Sequence, residues 1–511
     1  MLPSGSELYQ IRESKKGLPT LFVTAGGRDL PVHSSVDPSA DAKIFTGRFS
    51  PEKYDLLVIS GLGLGYHLHP LAESAHRFKK IIVIDTNPRG REMLDCVPGS
   101  KYLTAADNIF LLCGLEAHDL SAALEGLLNL SEAKGISLLE HPASVRIFSE
   151  YYAAVKKTVS RVIDKAGSEL ATLEKFGPVF FKNILANLKA AEKLMPVSAL
   201  AGKFTGRAAA VVTPGPSLDK SIDTLKNARD YLCVIAVDSA LGPLTASGIY
   251  PDISISIDPQ PYIWEHHSGV DMTPMINIVS IASWPGALPR DGAYVSFNSH
   301  PVCQLIEELC PSGAGSVDSL TGSVAGDALK LAMLLGFDRA YMFGFDFSFI
   351  DYKIYARGTA YQNRYASFLN SRFTPPETRN LDYMMKSSRA FKSEGRFTRR
   401  AFIQYKEKIE ILAAAEGASI FRNSSTAGLP VKGIPFEEAF RNEKLSRFSP
   451  GGSDPLHGLK APTLAETIDF KLLRKALSDP EIAERLIHAS GGGGQSIRRY
   501  KKMLKLYLEE K

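Results

Sequence analysis

Short apolar runs, each closed by a glycine, proline or polar residue, recur along this chain. Ala208–Thr213 runs into Pro214-Gly215-Pro216-Ser217, after which a helical pattern opens near Leu218. Leu232–Val237 stops at Asp238-Ser239, and Ile253–Ile257 stops at Asp258-Pro259. Ile276–Ser280, Tyr294–Phe297 and Ala340–Phe343 repeat the form, the last ending at Gly344-Phe345-Asp346-Phe347-Ser348. Runs that are apolar throughout, rather than alternating, predict strands buried on both faces, as in a parallel sheet. Ligands of such sheets lie beyond the carboxyl ends of the strands. The Gly-Pro-Ser turn frees backbone N–H groups at a helix start, where an anion is favoured. The pattern therefore predicts an α/β domain with a site for something phosphorylated.

The same logic appears near the start. Leu56–Ile59 leads into Ser60-Gly61-Leu62-Gly63-Leu64-Gly65-Tyr66-His67, a helix, and then Ile81–Ile84 ending at Asp85. A glycine-rich turn after one strand, with an acid at the end of the next, is the arrangement of Rossmann-like nucleotide sites. Its Gly-x-Gly-x-Gly form is closer to that of methyltransferases than of dehydrogenases. Glycines at a strand–helix corner also serve close packing alone, and both readings stand at this point. Residues 118 to about 200 read as helical, with heptad-like apolar positions around Tyr151–Leu173. Asn183 and Asn187, four apart, share one helical face, directed either at the next domain or, more commonly, at solvent. A helix over Ala325–Leu335 is closed by Gly336, and another is expected around Phe402–Ala415. The predicted organisation is a Rossmann-like α/β domain (1–117), a helical connector (118–203) and a central Rossmann-like domain (204–440). A linker (441–465) rich in Ser, Pro and Gly and a helical C-terminal region (466–511) split by Gly491–Gly494 complete it.

At 511 residues the chain is long enough for two or three cores. A net charge of +5 is mild and gives no case for nucleic acid. Positive charge is concentrated between Lys353 and Lys408, with thirteen Lys/Arg against four acids. Such a run is either a solvated face or a rim attracting an anionic substrate. The first residues lack the apolar core of a signal peptide, and no window reaches the roughly 18 apolar residues of a membrane helix. Five cysteines without a Cys-x-x-Cys pair fit free thiols in a reducing compartment. A cytoplasmic location is the expectation. No histidine pair has a third ligand nearby, so no metal site is expected.

Ser217, Asp238, Ser239, Asp258 and Asp346 all fall at the carboxyl ends of predicted strands, and Gly322-Ser323 falls at a helix start. A nucleotide needs N–H and hydroxyl donors for phosphate, and carboxylates or carbonyls for ribose and base; this set supplies both. Taken singly, each is also an ordinary helix cap. There is no Walker loop, and no Asp-x-Asp pair at a strand end, which favours a metal-independent site. Tyr352, Tyr355, Tyr361 and Tyr365, with Arg357 and Arg364, are placed to form a lid over a leaving phosphate, or to pack a loop onto the core.

As an ordered set these motifs resemble the bacterial motility accessory factors. The set comprises Thr213–Lys220, Ala236–Leu241, Gly248–Asp252 through Ser256–Pro259, Gly322–Ala325, Phe343–Asp346, and Arg422–Ser425 with Val431–Gly433. Gly61–His67 and Phe176–Asn187 fit the same layout, so the resemblance spans roughly residues 40–440. It implies a central fold similar to bacterial sialyltransferases, whose Gly-Pro-Ser turn holds a cytidine nucleotide. It further implies transfer of a nonulosonic acid from a CMP-activated donor onto Ser/Thr of flagellin, with no cofactor beyond that donor. The central domain also resembles the archaeal 6-hydroxymethylpterin diphosphokinase (MptE-like) proteins, which move pyrophosphate from ATP. One departure stands out: the segment after Asp346 reads Lys353-Ile354-Tyr355-Ala356-Arg357-Gly358 where a histidine is expected. Direct attack by a protein hydroxyl needs a base, for which Asp258, Asp346 and His300 are the candidates. The alternatives are the diphosphokinase reaction and a non-catalytic, flagellin-binding accessory role.

Overall fold

The computed structural model describes residues 8–47, 54–73, 78–128, 135–289, 292–309, 315–319, 321–362, 376–417, 419–438, 461–491 and 497–509. Tyr365, Arg364 and most of the predicted linker lie outside them. The chain divides into two compact units, Met1–Leu173 and Glu174–Lys511.

The first unit opens with an antiparallel sheet of β1 (Tyr9–Glu13), β2 (Pro19–Ala25) and β3 (Arg28–Pro31). A parallel sheet follows, built from β4 (Leu56–Ser60), β5 (Lys80–Asp85), β6 (Ile109–Cys113) and β7 (Ile136–Glu140) in the order β6-β5-β4-β7. Its central strands are apolar from Leu56 to Ile59 and from Ile81 to Ile84 because both faces are covered. Leu56, Val58, Ile82 and Ile84 meet Leu120, Leu124, Tyr152, Val155 and Val159, while Leu57, Ile59, Ile81 and Val83 meet Leu68, Leu94 and Leu103. Tyr152, Val155 and Val159 form one stripe of the helix Ser149–Leu188, the spacing of a core-facing helical stripe.

The second unit is built on eight parallel strands: β8 (Leu194–Pro196), β9 (Ala208–Val212), β10 (Leu232–Val237), β11 (Ile253–Ser256), β12 (Ile276–Ser280), β13 (Ala293–Ser296), β14 (Arg339–Phe343) and, later in the chain, Phe421–Asn423. The order is Phe421–Asn423, β14, β9, β10, β11, β12, β13, β8. From β9 the chain steps outward through β10 to β13 and then crosses back to place β14 on the other side of β9. The order thus reverses between β9 and β14, and in open α/β sheets the crevice outside that reversal is where ligands bind.

Strand identities agree with the sequence reading to within a residue or two. Several strands were not read: β1, β2, β3, β6, the hairpin Phe391–Ser393 with Arg396–Thr398, and three further edge strands of the parallel sheets. Ile136–Glu140 and Leu194–Pro196 lie in the stretch read as helical, and Phe421–Asn423 lies beyond the strands that were read. Each sits at a sheet edge, half-buried or only three residues long, so it carries no run of apolar residues to read. Asn183 and Asn187 do not face solvent. Asn183 Nδ2 donates to the carbonyls of Pro259 (2.9 Å) and Ala282 (3.1 Å), and Asn187 Nδ2 to those of Ile281 (2.8 Å) and Ser283 (2.9 Å). The two amides therefore staple the helix to the loops that follow β11 and β12. The C-terminal region packs against the end of the same helix. Phe470–Ser478, Pro480–Ala489 and Ile497–Glu509 bury Leu473, Leu477, Ile487 and Tyr500 against Phe181, Ile184, Val302 and Ile306. Gly177 has no Cβ because one would meet Ser490 O and Tyr500 Oη.

Candidate active site

At the reversal between β9 and β14 the turn Thr213–Pro216 and the loop Gly344–Ser348 wall a cleft of about 530 Å³, open mouth included, completed by Ser323, Ala325, Ile354, Tyr355, Phe402 and Tyr405. The two walls touch through glycine. A Cβ on Gly215 would strike Gly344 O and lie 2.6 Å from Asp346 Oδ2, and one on Gly344 would strike Thr213 O. Gly344 also has φ +75°, a conformation other residues rarely adopt. The glycines of both motifs are thus fixed by this close approach.

Contact across the walls is direct. Ser217 N–H donates to Asp346 Oδ2 at 2.8 Å. Asp346 is 4% exposed and Ser217 1%, yet Asp346 Oδ1 and Ser217 Oγ have no hydrogen-bond partner. Burial raises the Asp346 carboxyl above the ordinary carboxylate range, opposed by its hydrogen bonding to Ser217 and by Arg396. Buried polar atoms are nearly always satisfied, and one left open costs about 1–3 kcal/mol. Two such atoms beside one cleft are what a polar ligand would satisfy.

The opposite side of the cleft is a helix start. Ser323 caps Val324–Leu335, its Oγ accepting from Gly326 N, and Gly322 takes φ +73° to make the turn. A hydroxyl chain fixes this corner: buried Asp327 accepts from Ser319 Oγ (2.6 Å), which contacts Thr321 Oγ1 (2.8 Å), which contacts Ser323 Oγ (3.1 Å). Burial pushes Asp327 up to about 6. The helix Arg400–Leu412 leans over the turn, placing Lys408 Nζ 3.9 Å from where a Gly322 Cβ would stand. The sequence reading foresaw this helix but not that Phe402 and Tyr405 line the cleft or that Lys408 stands beside Gly322. Nothing in the linear pattern sets it beside Gly322.

Of the expected lid, Tyr355 lines the cleft and stacks on Tyr361 with ring centroids 4.7 Å apart. Tyr352 is exposed, and the Arg357 side chain is exposed while its N–H donates to Asp219 Oδ1 at 2.8 Å. Lys353 pairs with the same Asp219 at 3.0 Å, and Ala356 N donates to Pro214 O at 2.8 Å. The segment is thereby tied to the Gly-Pro-Ser turn and the helix behind it. Phe347, Asp351 and Tyr352 all have φ between 49° and 57°, a strained region for such residues. Bonds from Thr398 Oγ1 to Phe347 O (2.7 Å) and from Phe349 N to Phe397 O (2.8 Å) hold that backbone.

Asp238 and Asp258 end the adjacent strands β10 and β11. Asp238 Oδ1 accepts from Ser239 N (2.6 Å) and Asp258 Oδ1 from Gln260 N (2.8 Å). Burial first, with the neighbouring Asp258 adding to it, pushes Asp238 up to about 7, and burial also raises Asp258. Two carboxylates thus stand at the ends of adjacent strands although no Asp-x-Asp exists in the sequence. No group of three or more His, Cys, Asp and Glu arranged for a metal occurs among the described residues. His300 is not brought to this crevice. It follows β13, four strands from β9, or roughly 19 Å at about 4.8 Å per strand. There it packs on Phe180 and Phe181, its Nδ1 accepts from Val302 N, and burial lowers it to about 4.

In the first unit the glycine turn is occupied by protein groups. Asp85 Oδ2 accepts from Leu62 N (2.6 Å) and Gly63 N (3.4 Å), and Leu64 N donates to His33 Nε2 (2.8 Å). A Cβ on Gly61 would meet Ser144 and His141, and one on Gly63 the His33 ring. The glycines make room for histidines, and the N–H groups that a phosphate would need are spent. His33 and His67 each lie 5.4 Å, ring to ring, from His141, and all three are buried.

Residues 182–352 match the family described as 6-hydroxymethylpterin diphosphokinase MptE-like. That stretch holds Ser217, Asp238, Asp258, Ser323 and Asp346 but not Lys408. An uncharacterized protein of Treponema pallidum (strain Nichols) is 35% identical over 92 residues, which is 18% of this chain and 43% of that protein, so the match spans less than half of this curated relative's length. The solved structure of a Maf glycosyltransferase from Magnetospirillum magneticum AMB-1 is similar over 99% of this chain and 92% of that one, with TM-score 0.55 and 12% identity. The chain thus carries an MptE-like domain within the fold of a Maf glycosyltransferase, as the sequence motifs implied.

Proposed function

We propose that this chain is a glycosyltransferase that moves a CMP-activated nonulosonic acid onto Ser/Thr of flagellin. The observation that carries the reading is the pair of buried, unpartnered oxygens, Ser217 Oγ and Asp346 Oδ1, beside a cleft at the sheet reversal. Asp346 Oδ1 accepts a hydroxyl or amine of the nucleoside, and the capped helix end at Gly322–Ser323 faces its phosphate. In the reaction the acceptor oxygen attacks the anomeric carbon, the bond from that carbon to the phosphate oxygen breaks, and CMP departs with the electron pair. The acceptor proton passes to a carboxylate. Asp258 is the candidate for this role, two strands or roughly 10 Å from β9, with Asp238 beside it.

One observation favours a second reading, transfer of pyrophosphate from ATP. Asp238 and Asp258, at the ends of adjacent strands, are the kind of carboxylates that reaction needs for Mg²⁺, and the family match carries that description. Calorimetry with CMP and ATP, each with EDTA or Mg²⁺, separates the two. Binding of CMP in EDTA is expected, whereas binding of ATP alone with strict need for Mg²⁺ overturns the transferase reading. Intact mass of flagellin from cells with and without the gene then tests the acceptor: loss of the sugar mass is expected on deletion.

A further inference from the structure

Lys408 lies at the wrong end of a helix. It is half-buried on Arg400–Leu412, one turn beyond Tyr405 and two beyond Phe402, both of which line the cleft. Its ammonium stands beside Gly322, next to the N-terminus of the twelve-residue helix Val324–Leu335. That end of a helix carries partial positive charge, so a cation there is repelled unless an anion stands between them. Neighbouring lysines are neutralised: Lys406 pairs with Glu410 at 2.7 Å, Lys353 with Asp219 at 3.0 Å and Lys220 with Asp351 at 3.4 Å. Among the described residues no carboxylate pairs with Lys408. Across the same cleft Asp346, 4% exposed, keeps its Oδ1 open. Asp327, the acid in the first turn of that helix, is turned to Ser319, so among the described residues Lys408 has no anion paired with it and Asp346 Oδ1 has no donor.

We propose that Lys408 and the start of helix Val324–Leu335 form the phosphate-binding half of this cleft, with Lys408 neutralising the charge that grows on the leaving nucleoside phosphate. The proposal rests on the nucleotide reading above and adds its polarity: phosphate toward Lys408 and Ser323, nucleoside toward Asp346 and Ser217. Lys408 supplies a point charge, so its effect follows the phosphate and not the base.

Titration of wild type, Lys408→Ala, Lys408→Arg and Lys406→Ala with CMP and with cytidine, at low and high salt, tests it. Lys408→Ala is expected to weaken CMP binding by about tenfold or more and to flatten its salt dependence, while cytidine binding stays as in wild type. Lys408→Arg should recover most of the CMP affinity, and Lys406→Ala should retain all of it. Unchanged melting temperature of unliganded Lys408→Ala confirms that its fold is intact. Wild-type CMP affinity in Lys408→Ala, or equal loss of CMP and cytidine, overturns the assignment of Lys408 alone. Wild-type protein that binds neither CMP nor cytidine overturns the nucleotide reading along with it.

Discussion

Ser217 occupies the position before a helix, yet its hydroxyl caps nothing, because the residue is itself turned into helical dihedrals with φ −64°. Removing that hydroxyl therefore costs the unliganded protein no cap bond. Ser217→Ala is expected to keep its melting temperature and to weaken CMP binding by about 1–3 kcal/mol, the range for a buried polar partner left unpaired. Asp346→Ala differs, since it also strips the Ser217 N–H of its acceptor. It should lose CMP affinity and about 1–3 kcal/mol of stability together. Melting curves with and without CMP read both quantities. A Ser217→Ala protein that melts early but keeps the full CMP-induced shift would place the nucleotide elsewhere.

At the scale of elements, what matters is how closely the strand–helix turns approach one another. Gly215→Ala puts a methyl group against Gly344 O and Asp346, backbone and buried carboxylate with no room to yield. Denaturant melts should show a loss of about 1–3 kcal/mol, with CMP binding abolished. Asn183→Ala removes two donors from buried carbonyls after β11 and β12. It is expected to destabilise by about 1–3 kcal/mol and, because Pro259 follows Asp258, to slow transfer more than it weakens CMP binding. In the first unit the turn N–H groups already serve Asp85 and His33. Incubation with labelled S-adenosylmethionine should accordingly leave flagellin unlabelled, and methyl transfer would contradict that account of the turn.

Across the whole molecule buried histidines and buried carboxylates act on stability with opposite signs as pH changes. Burial lowers His33 to about 3 and His141 to about 4. Between those values and 6.5 the unfolded chain binds more protons, so stability is full above pH 6.5 and falls as pH drops. By pH 5 the loss is about 2 kcal/mol for each histidine. Asp238, raised to about 7, binds its proton more tightly when folded. Its contribution weakens the second unit as pH rises from about 4 to 7, so in mild acid it offsets the loss from His300, which burial lowers to about 4 in the same unit. Both tryptophans, Trp264 and Trp284, belong to the second unit. Acidification to pH 5 should thus lower far-ultraviolet ellipticity while tryptophan emission stays native. Simultaneous loss of both signals would refute this division of acid sensitivity.

The sequence by itself located the interior strands of both parallel sheets and showed what each of them ends on. Leu232–Val237 is apolar at every position because both its faces are covered, and that coverage is written residue by residue. The same locality made the Gly-Pro-Ser turn and the Asp346 loop legible as strand ends. Edge strands such as Phe421–Asn423, where Arg422 reaches out to Glu437 at 2.8 Å, were lost because an edge needs no apolar run. Strand order was not legible either, and it decided the site. Placing β14 beside β9 is a choice among long-range pairings, set by the packing of the whole sheet. That choice brings Ser217 within 2.8 Å of Asp346, 129 residues away, and moves His300 four strands off. It also gathers residues with no common motif, Lys408 beside Gly322 and Asp238 beside Asp258, since a side chain's neighbours across a sheet depend on topology rather than on distance along the chain.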